Sequence, residues 1–136
     1  MTSIYQEQII DYYKYPRNKK VLDDASFDYG DQNPVCGDEI HLFVKIGEDG
    51  KVSDVGFQGR GCAISQASVS LLTELISGMS VEEMKKLTNE DIKEMLGIPL
   101  TPVRLKCAIL GLKVLEGGII KFEGGEVGSS TEQKGE

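Results

Sequence analysis

The apolar pattern of this chain changes its period from two to about 3.6 at the glycine-rich stretch GFQGRGCAIS, residues 56–65. Before it, residues 40–46 (IHLFVKI) and 52–57 (VSDVGF) alternate apolar and polar side chains, the period-two mark of half-buried strands. Glu48, Asp49 and Gly50 join them in hairpin fashion. After Gly59 and Gly61 the period lengthens to about 3.6: Ala63, Ala67, Leu71 and Leu75 mark one face of a helix that Gly78 ends. Residues 26–29 read as a further short strand, and Ile4, Ile9, Ile10 and Tyr13 as the apolar positions of a first helix stopped by Pro16. Ser80 with Glu83 and Thr88 with Asp91 are capping boxes that open two short helices. Thr101 and Pro102 cap and start a last helix, apolar at Val103, Leu105, Ala108, Ile109, Leu112, Val114 and Leu115. One helix, three strands, then helices predicts an α+β fold, a small three-stranded antiparallel sheet with helices packed on one face. Residues 1–122 are expected to form one domain. Residues 123–136, rich in Gly, Ser and Glu, read as a disordered tail.

Charge and length restrict the function. With 22 acidic against 15 basic residues and a net charge of -7, the chain lacks the basic footprint of a nucleic-acid or anionic-membrane binder. No apolar run approaches the roughly 18 residues of a membrane span, and the N-terminus is amphipathic and charged, without the apolar stretch of a signal peptide. Three cysteines, an odd number without short-range pairing, read as thiols of a reducing cytoplasm. At 136 residues the chain needs no disulfide or metal merely to fold.

All three cysteines fall at expected junctions. Cys36 sits in NPVCGDEI, in the loop entering a strand; Cys62 where the glycine-rich turn becomes a helix; Cys107 early in the last helix. Singly, each could be a small buried hydrophobe. Three together, each beside glycine, proline or charge, point instead to thiolate chemistry, which a helix N-terminus favours. Asp38 is a fourth candidate ligand, since Gly37 lets the chain bend between it and Cys36; its alternative reading is a turn former. Three thiolates and one carboxylate suit zinc or the two irons of a [2Fe-2S] cluster. The carboxylate is the harder partner, so such a site should bind its metal and also release it. No CxxC pair occurs, and the intervals from Cys36 to Cys62 and from Cys62 to Cys107 are 26 and 45 residues, so the fold must assemble the site. Gly56, Gly59 and Gly61 do not match a dinucleotide fingerprint. His41, the only histidine, alternates with Ile40 and Leu42 and is expected on the solvent side of its strand, which leaves no Cys-His nucleophilic pair.

NPVCGD, GRGCAISQAS and PLTPVRLKCAILGLKVLE resemble the three cysteine motifs of the IscU/SufU/NifU N-terminal family of iron-sulfur cluster assembly proteins, and YKYPRNKKVL is similar to that family's opening segment. The resemblance implies an α+β fold with Cys36, Asp38, Cys62 and Cys107 as ligands of metal or cluster. It implies a scaffold, rather than an enzyme in the turnover sense, on which a [2Fe-2S] cluster is built from iron and from sulfur delivered as persulfide by a cysteine desulfurase, then passed to apo-proteins. The alternative is a zinc-dependent sulfurtransferase of SufU type. Lys106 stands where many IscU-type chains have histidine, which is similar to SufU, while the inserted segment of SufU-type chains between the second and third cysteines is lacking. Residues 100–104, LTPVR, are similar to the segment by which IscU proteins are recognised by an Hsp70-type chaperone, with Thr101 and Arg104 as departures. Cys107, near Lys106 and Arg104, is the expected first persulfide acceptor and Cys36 its rival; the small-residue run after Cys62 suggests close packing and poorer access there.

Overall fold

The computed structural model describes residues 4–34 and 37–124. Its elements are α1 (Ile4–Lys14), β1 (Phe27–Asn33), β2 (Asp38–Ile46), β3 (Val52–Arg60), α2 (Ala63–Ile76), α3 (Val81–Lys85), α4 (Asn89–Leu96) and α5 (Pro102–Phe122). The three strands form one antiparallel sheet in the order β1-β2-β3. Ile40, Leu42, Val44, Val55 and Phe57 point from it into a core shared with α2 and α5, and none is more than 2% exposed. Each such side chain contributes about 1.5–3 kcal/mol by leaving water. His41 lies on the opposite face, as its alternation requires; its Nε2 is 2.7 Å from Asp28 Oδ1.

Every strand but the hairpin ends runs further than its apolar residues announce. β1 continues through Gly30, Asp31, Gln32 and Asn33, β2 starts at Asp38, and β3 continues through Gln58, Gly59 and Arg60. Backbone pairing carries these polar extensions, with Asn33 opposite Asp38 and Glu39 opposite Arg60. They all project toward the same end of the sheet, where the cysteine motifs converge.

The helices show how local signals and packing differ. Both capping boxes form, Ser80 with Glu83 and Thr88 with Asp91, and Thr101 caps α5 with Pro102 in its first turn. By contrast, α2 is buried on almost every side from Ile64 to Thr73, and Leu75, expected on its buried face, is 38% exposed. In α1 only Ile9 of the four expected apolar positions is buried, while Ile4, Ile10 and Tyr13 are exposed. The KYPRN segment explains how α1 is nevertheless fixed. Arg17 lies 3.8 Å above the Tyr12 ring, pairs with Asp11 at 2.6 Å, and donates its backbone N–H to Ser70 Oγ at 2.7 Å. Tyr12 donates to Glu74, which raises the Tyr12 pKa above the ordinary phenol value. Asn18, at φ 63, accepts from Phe57 N at 2.9 Å and donates to Thr73 Oγ1 at 3.0 Å, tying the segment to both β3 and α2.

α2 and α5 pack closely, with Ser68 Oγ donating to Ala108 O at 2.7 Å. Further along α5, a Cβ at Gly117 would come within 2.6 Å of the Tyr29 ring and one at Gly118 within 2.8 Å of Phe27, so the glycine pair is what lets the helix touch β1. Among the described residues no helix is long and apolar enough to cross a membrane. α5 ends at Phe122, and residues 125–136 of the expected tail lie outside the described residues.

Candidate metal centre

Asp38, Cys62 and Cys107 come together from the start of β2, the junction of β3 with α2, and the second turn of α5. Their ligand atoms all lie within 4.8 Å of one another. A tetrahedral ion with bonds near 2.0–2.3 Å needs ligand separations of about 3.3–3.8 Å, so small side-chain adjustments would close this set around one metal. Cys36, the fourth expected ligand, lies outside the described residues. Gly37, beside it, has φ +72, the bend expected of that position, and donates its N–H to Asn33 O at 2.9 Å.

Asp38 carries the clearest sign that the residues fit a cation. It is 0% exposed; its Oδ1 accepts the Cys62 backbone N–H at 2.9 Å, and its Oδ2 has no hydrogen-bond partner among the described residues. A buried carboxylate oxygen left unpaired is costly, by about 1–3 kcal/mol or more. The turn-former reading of Asp38 does not account for such burial. A metal ion would satisfy it, and the residues present fit one. Gly61 makes the arrangement possible: its φ is +147, and a Cβ there would sit 2.1 Å from Asp38 Oδ1. The glycines at 56, 59 and 61 thus belong to a strand and its exit past a carboxylate, with Gly56 and Gly59 inside β3.

Cys62 is the N-cap of α2. Its backbone is extended, and its Sγ accepts the Ser65 N–H at 3.5 Å, while Ser65 Oγ donates to Cys62 O at 3.1 Å. Gln66 Nε2 donates in turn to Ser65 Oγ. The thiol therefore stands at the positive end of the helix dipole.

Access to the two thiols reverses the sequence expectation. Cys62 is exposed and Cys107 only 3% exposed. An N-cap lies outside the packed face of its helix, whereas Cys107 is on the stripe of α5 that enters the core. An open cavity of about 630 Å³ reaches both, walled by Ile9 and Ile10 of α1, Ile64 of α2, Ile98 and Arg104. The contribution of α1 to this wall was not legible in the sequence. The two cations near Cys107 also separate: Arg104 lines the thiol cavity, and Lys106 lines a different groove on the other side of α5.

The NifU-like N-terminal domain model matches residues 4–128. The chain is 39% identical to the zinc-dependent sulfurtransferase SufU of Bacillus subtilis, covering 92% of this chain and 95% of that protein. It is 35% identical to the iron-sulfur cluster assembly scaffold protein IscU of Escherichia coli strain K12, covering 88% and 94%. Among solved structures, a candidate iron-sulfur cluster assembly scaffold protein for the SUF system from Fervidobacterium islandicum superposes with a TM-score of 0.71 at 29% identity, over 87% of this chain and 96% of that one. The N-terminal part of a NifU-like protein from Brucella abortus shares the fold, with a TM-score of 0.70 at 20% identity over 89% and 95%. Matched along nearly all of its described length, the chain belongs to the NifU-like N-terminal domain family.

Proposed function

We propose that this protein is a scaffold on which iron and persulfide-derived sulfur are assembled into a [2Fe-2S] cluster that is then passed to apo-proteins. The observation that carries the reading is the buried Asp38 carboxylate, whose Oδ2 is unpartnered among the described residues and one of whose oxygens lies within 4.8 Å of the Cys62 and Cys107 sulfurs. Cys36, Asp38, Cys62 and Cys107 hold the cargo, and the oxygen ligand among sulfurs is its exchangeable corner. A cysteine desulfurase supplies the sulfur. An accepting thiolate attacks the outer sulfur of the donor's persulfide, the donor S–S bond breaks, and the donor leaves as a thiolate. Reduction of that sulfur to sulfide then takes two electrons from an external reductant. Cys107 is assigned as the accepting thiol on the strength of Arg104 in the shared cavity, with Cys36 as rival; access alone would put Cys62 ahead of Cys107. Recognition of residues 100–104 by an Hsp70-type chaperone belongs to the same reading, and Thr101, Pro102, Val103 and Arg104 are exposed.

A second reading, a zinc-dependent sulfurtransferase that accepts persulfide and hands it on, is favoured by Lys106 before Cys107. In that case the same residues hold zinc, which keeps the ligands fixed and a thiol deprotonated. Against it stands the interval from Cys62 to Cys107, which lacks the inserted segment of SufU-type chains. The two readings separate when the protein is incubated anaerobically with a desulfurase, cysteine, iron and a reductant. A scaffold develops the visible absorption of a [2Fe-2S] cluster and passes it to an apo-ferredoxin, and Asp38→Ala slows that transfer severalfold. A sulfurtransferase instead accelerates the desulfurase when loaded with zinc and acquires no cluster. Brief sulfur loading followed by peptide mass spectrometry identifies the acceptor, and persulfide persisting in Cys107→Ser refutes its assignment.

A further inference from the structure

α5 presents two working faces, and the metal centre uses one of them. Arg104 and Cys107 look into the thiol cavity. Pro102, Leu105, Lys106, Ile109 and Lys113, spaced as one helical stripe, form the wall of a separate groove of about 580 Å³. Its other wall is the end of β1, residues 31–34. The groove exists because α5 touches β1 at Gly117 and Gly118 and diverges from it toward Pro102.

The groove combines three features. β1 is an edge strand, and an edge strand offers backbone groups to an added strand. Among the described residues, Asp28 O is held by Lys121 Nζ at 3.2 Å and Gln32 N by the Asp31 carboxylate at 2.8 Å, both side-chain contacts. The floor is apolar, from Leu105 and Ile109. The helix wall is cationic: neither Lys106 nor Lys113 has an ion-pair partner among the described residues, although the chain carries a net charge of -7 and most of its ion pairs lie elsewhere on the surface. From Pro102 to Leu115 α5 contains no acidic residue.

We infer that this groove docks an acidic, extended segment of a partner protein, which pairs with the edge of β1 and sets its carboxylates against Lys106 and Lys113. Strand addition beside a helix supplies main-chain bonds, and the alternate side chains supply specificity. The occupant would end at Pro34, two residues before Cys36, while the thiol cavity on the other face of α5 stays open. A partner seated there reaches the loop ahead of Asp38 without blocking sulfur delivery. The inference does not depend on which chemistry the thiols perform.

The test uses the full ¹⁵N-labelled chain and a capped peptide of about eight residues, a short strand's length, alternating Thr and Glu, with a Thr-Lys peptide as control. At low ionic strength the Thr-Glu peptide should shift the amide signals of Gln32, Leu105, Lys106, Ile109 and Lys113. The double variant K106E/K113E, whose remaining spectrum should be unchanged, should weaken binding roughly tenfold, and added salt should weaken it in the parent. Equal binding of the Thr-Lys peptide, shifts mapping to another surface, or an unaffected double variant would overturn the inference. So would groove signals that move when the chain is ended at Gly124 without any peptide, because residues 125–136 would then be the occupant.

Discussion

The two halves of α5 are built on opposite principles. In the C-terminal half contacts are closed: Gly117 and Gly118 lie on the rings of Tyr29 and Phe27, Phe122 sits 5.2 Å from the Phe27 ring, and Glu123 just beyond pairs with Lys85 at 2.6 Å. In the N-terminal half the buried stripe from Cys107 to Leu112 is flanked by openings, with a cavity on one side, a groove on the other, and Arg104, Lys106 and Lys113 without ion-pair partners among the described residues. One end of the helix holds the fold, and the firmness of that end allows the other to present Cys107 beside unpaired charge. Stability and ligand binding should therefore respond to different substitutions.

The largest effect on unfolding is expected in the closed half. Leu115 is fully buried, and Leu115→Ala should destabilise by about 2–5 kcal/mol in a denaturant titration. The folded fraction should still bind metal at the parent stoichiometry. Gly61→Ala should come next, at about 1–3 kcal/mol, because the added Cβ meets Asp38 Oδ1 and the residue holds a positive φ. Unlike Leu115→Ala, it should also weaken metal binding, measured by competition with a chelator. If both variants lose metal in proportion to stability alone, the separation of the two halves is wrong.

Cys62→Ser sharpens the comparison from the other side. Serine is a better N-cap than cysteine, so the metal-free variant should be as stable as the parent, within about 0.5 kcal/mol, while metal retention collapses. The smallest effect belongs to exposed pairs remote from both halves. Lys93 and Glu90, 3.1 Å apart on α4, should lose no more than about 0.5 kcal/mol in Lys93→Ala, with metal binding untouched.

What the sequence made legible was local or motif-borne. The capping boxes at Ser80 and Thr88, the Thr101-Pro102 start and the change of period at Gly61 all act over a few residues, and all appear in the structure. The strand ends were hidden because Gly30 to Asn33 and Gln58 to Arg60 pair through backbone and carry no apolar alternation. The burial of α1 and α2 was misjudged at Ile4, Ile10, Tyr13 and Leu75, since periodicity locates a face but not how many neighbours press on the helix. For the site, the family motifs named Asp38, Cys62 and Cys107 across long intervals that spacing alone could not join. Relative access of the two thiols depended on the cap geometry of Cys62 and the core packing of Cys107, both tertiary facts.

The central claim is that Asp38, Cys62 and Cys107, with Cys36, hold one metal centre. Its most direct test is the metal and acid-labile sulfide content, with the visible spectrum, of protein purified without oxygen, for the parent and for Cys36→Ser, Cys62→Ser and Cys107→Ser in parallel. The account predicts a brown parent with two irons and two sulfides per chain, and sharp loss of both in each variant. Any one of the three serine variants that retains the parent's full metal content would contradict a single shared site.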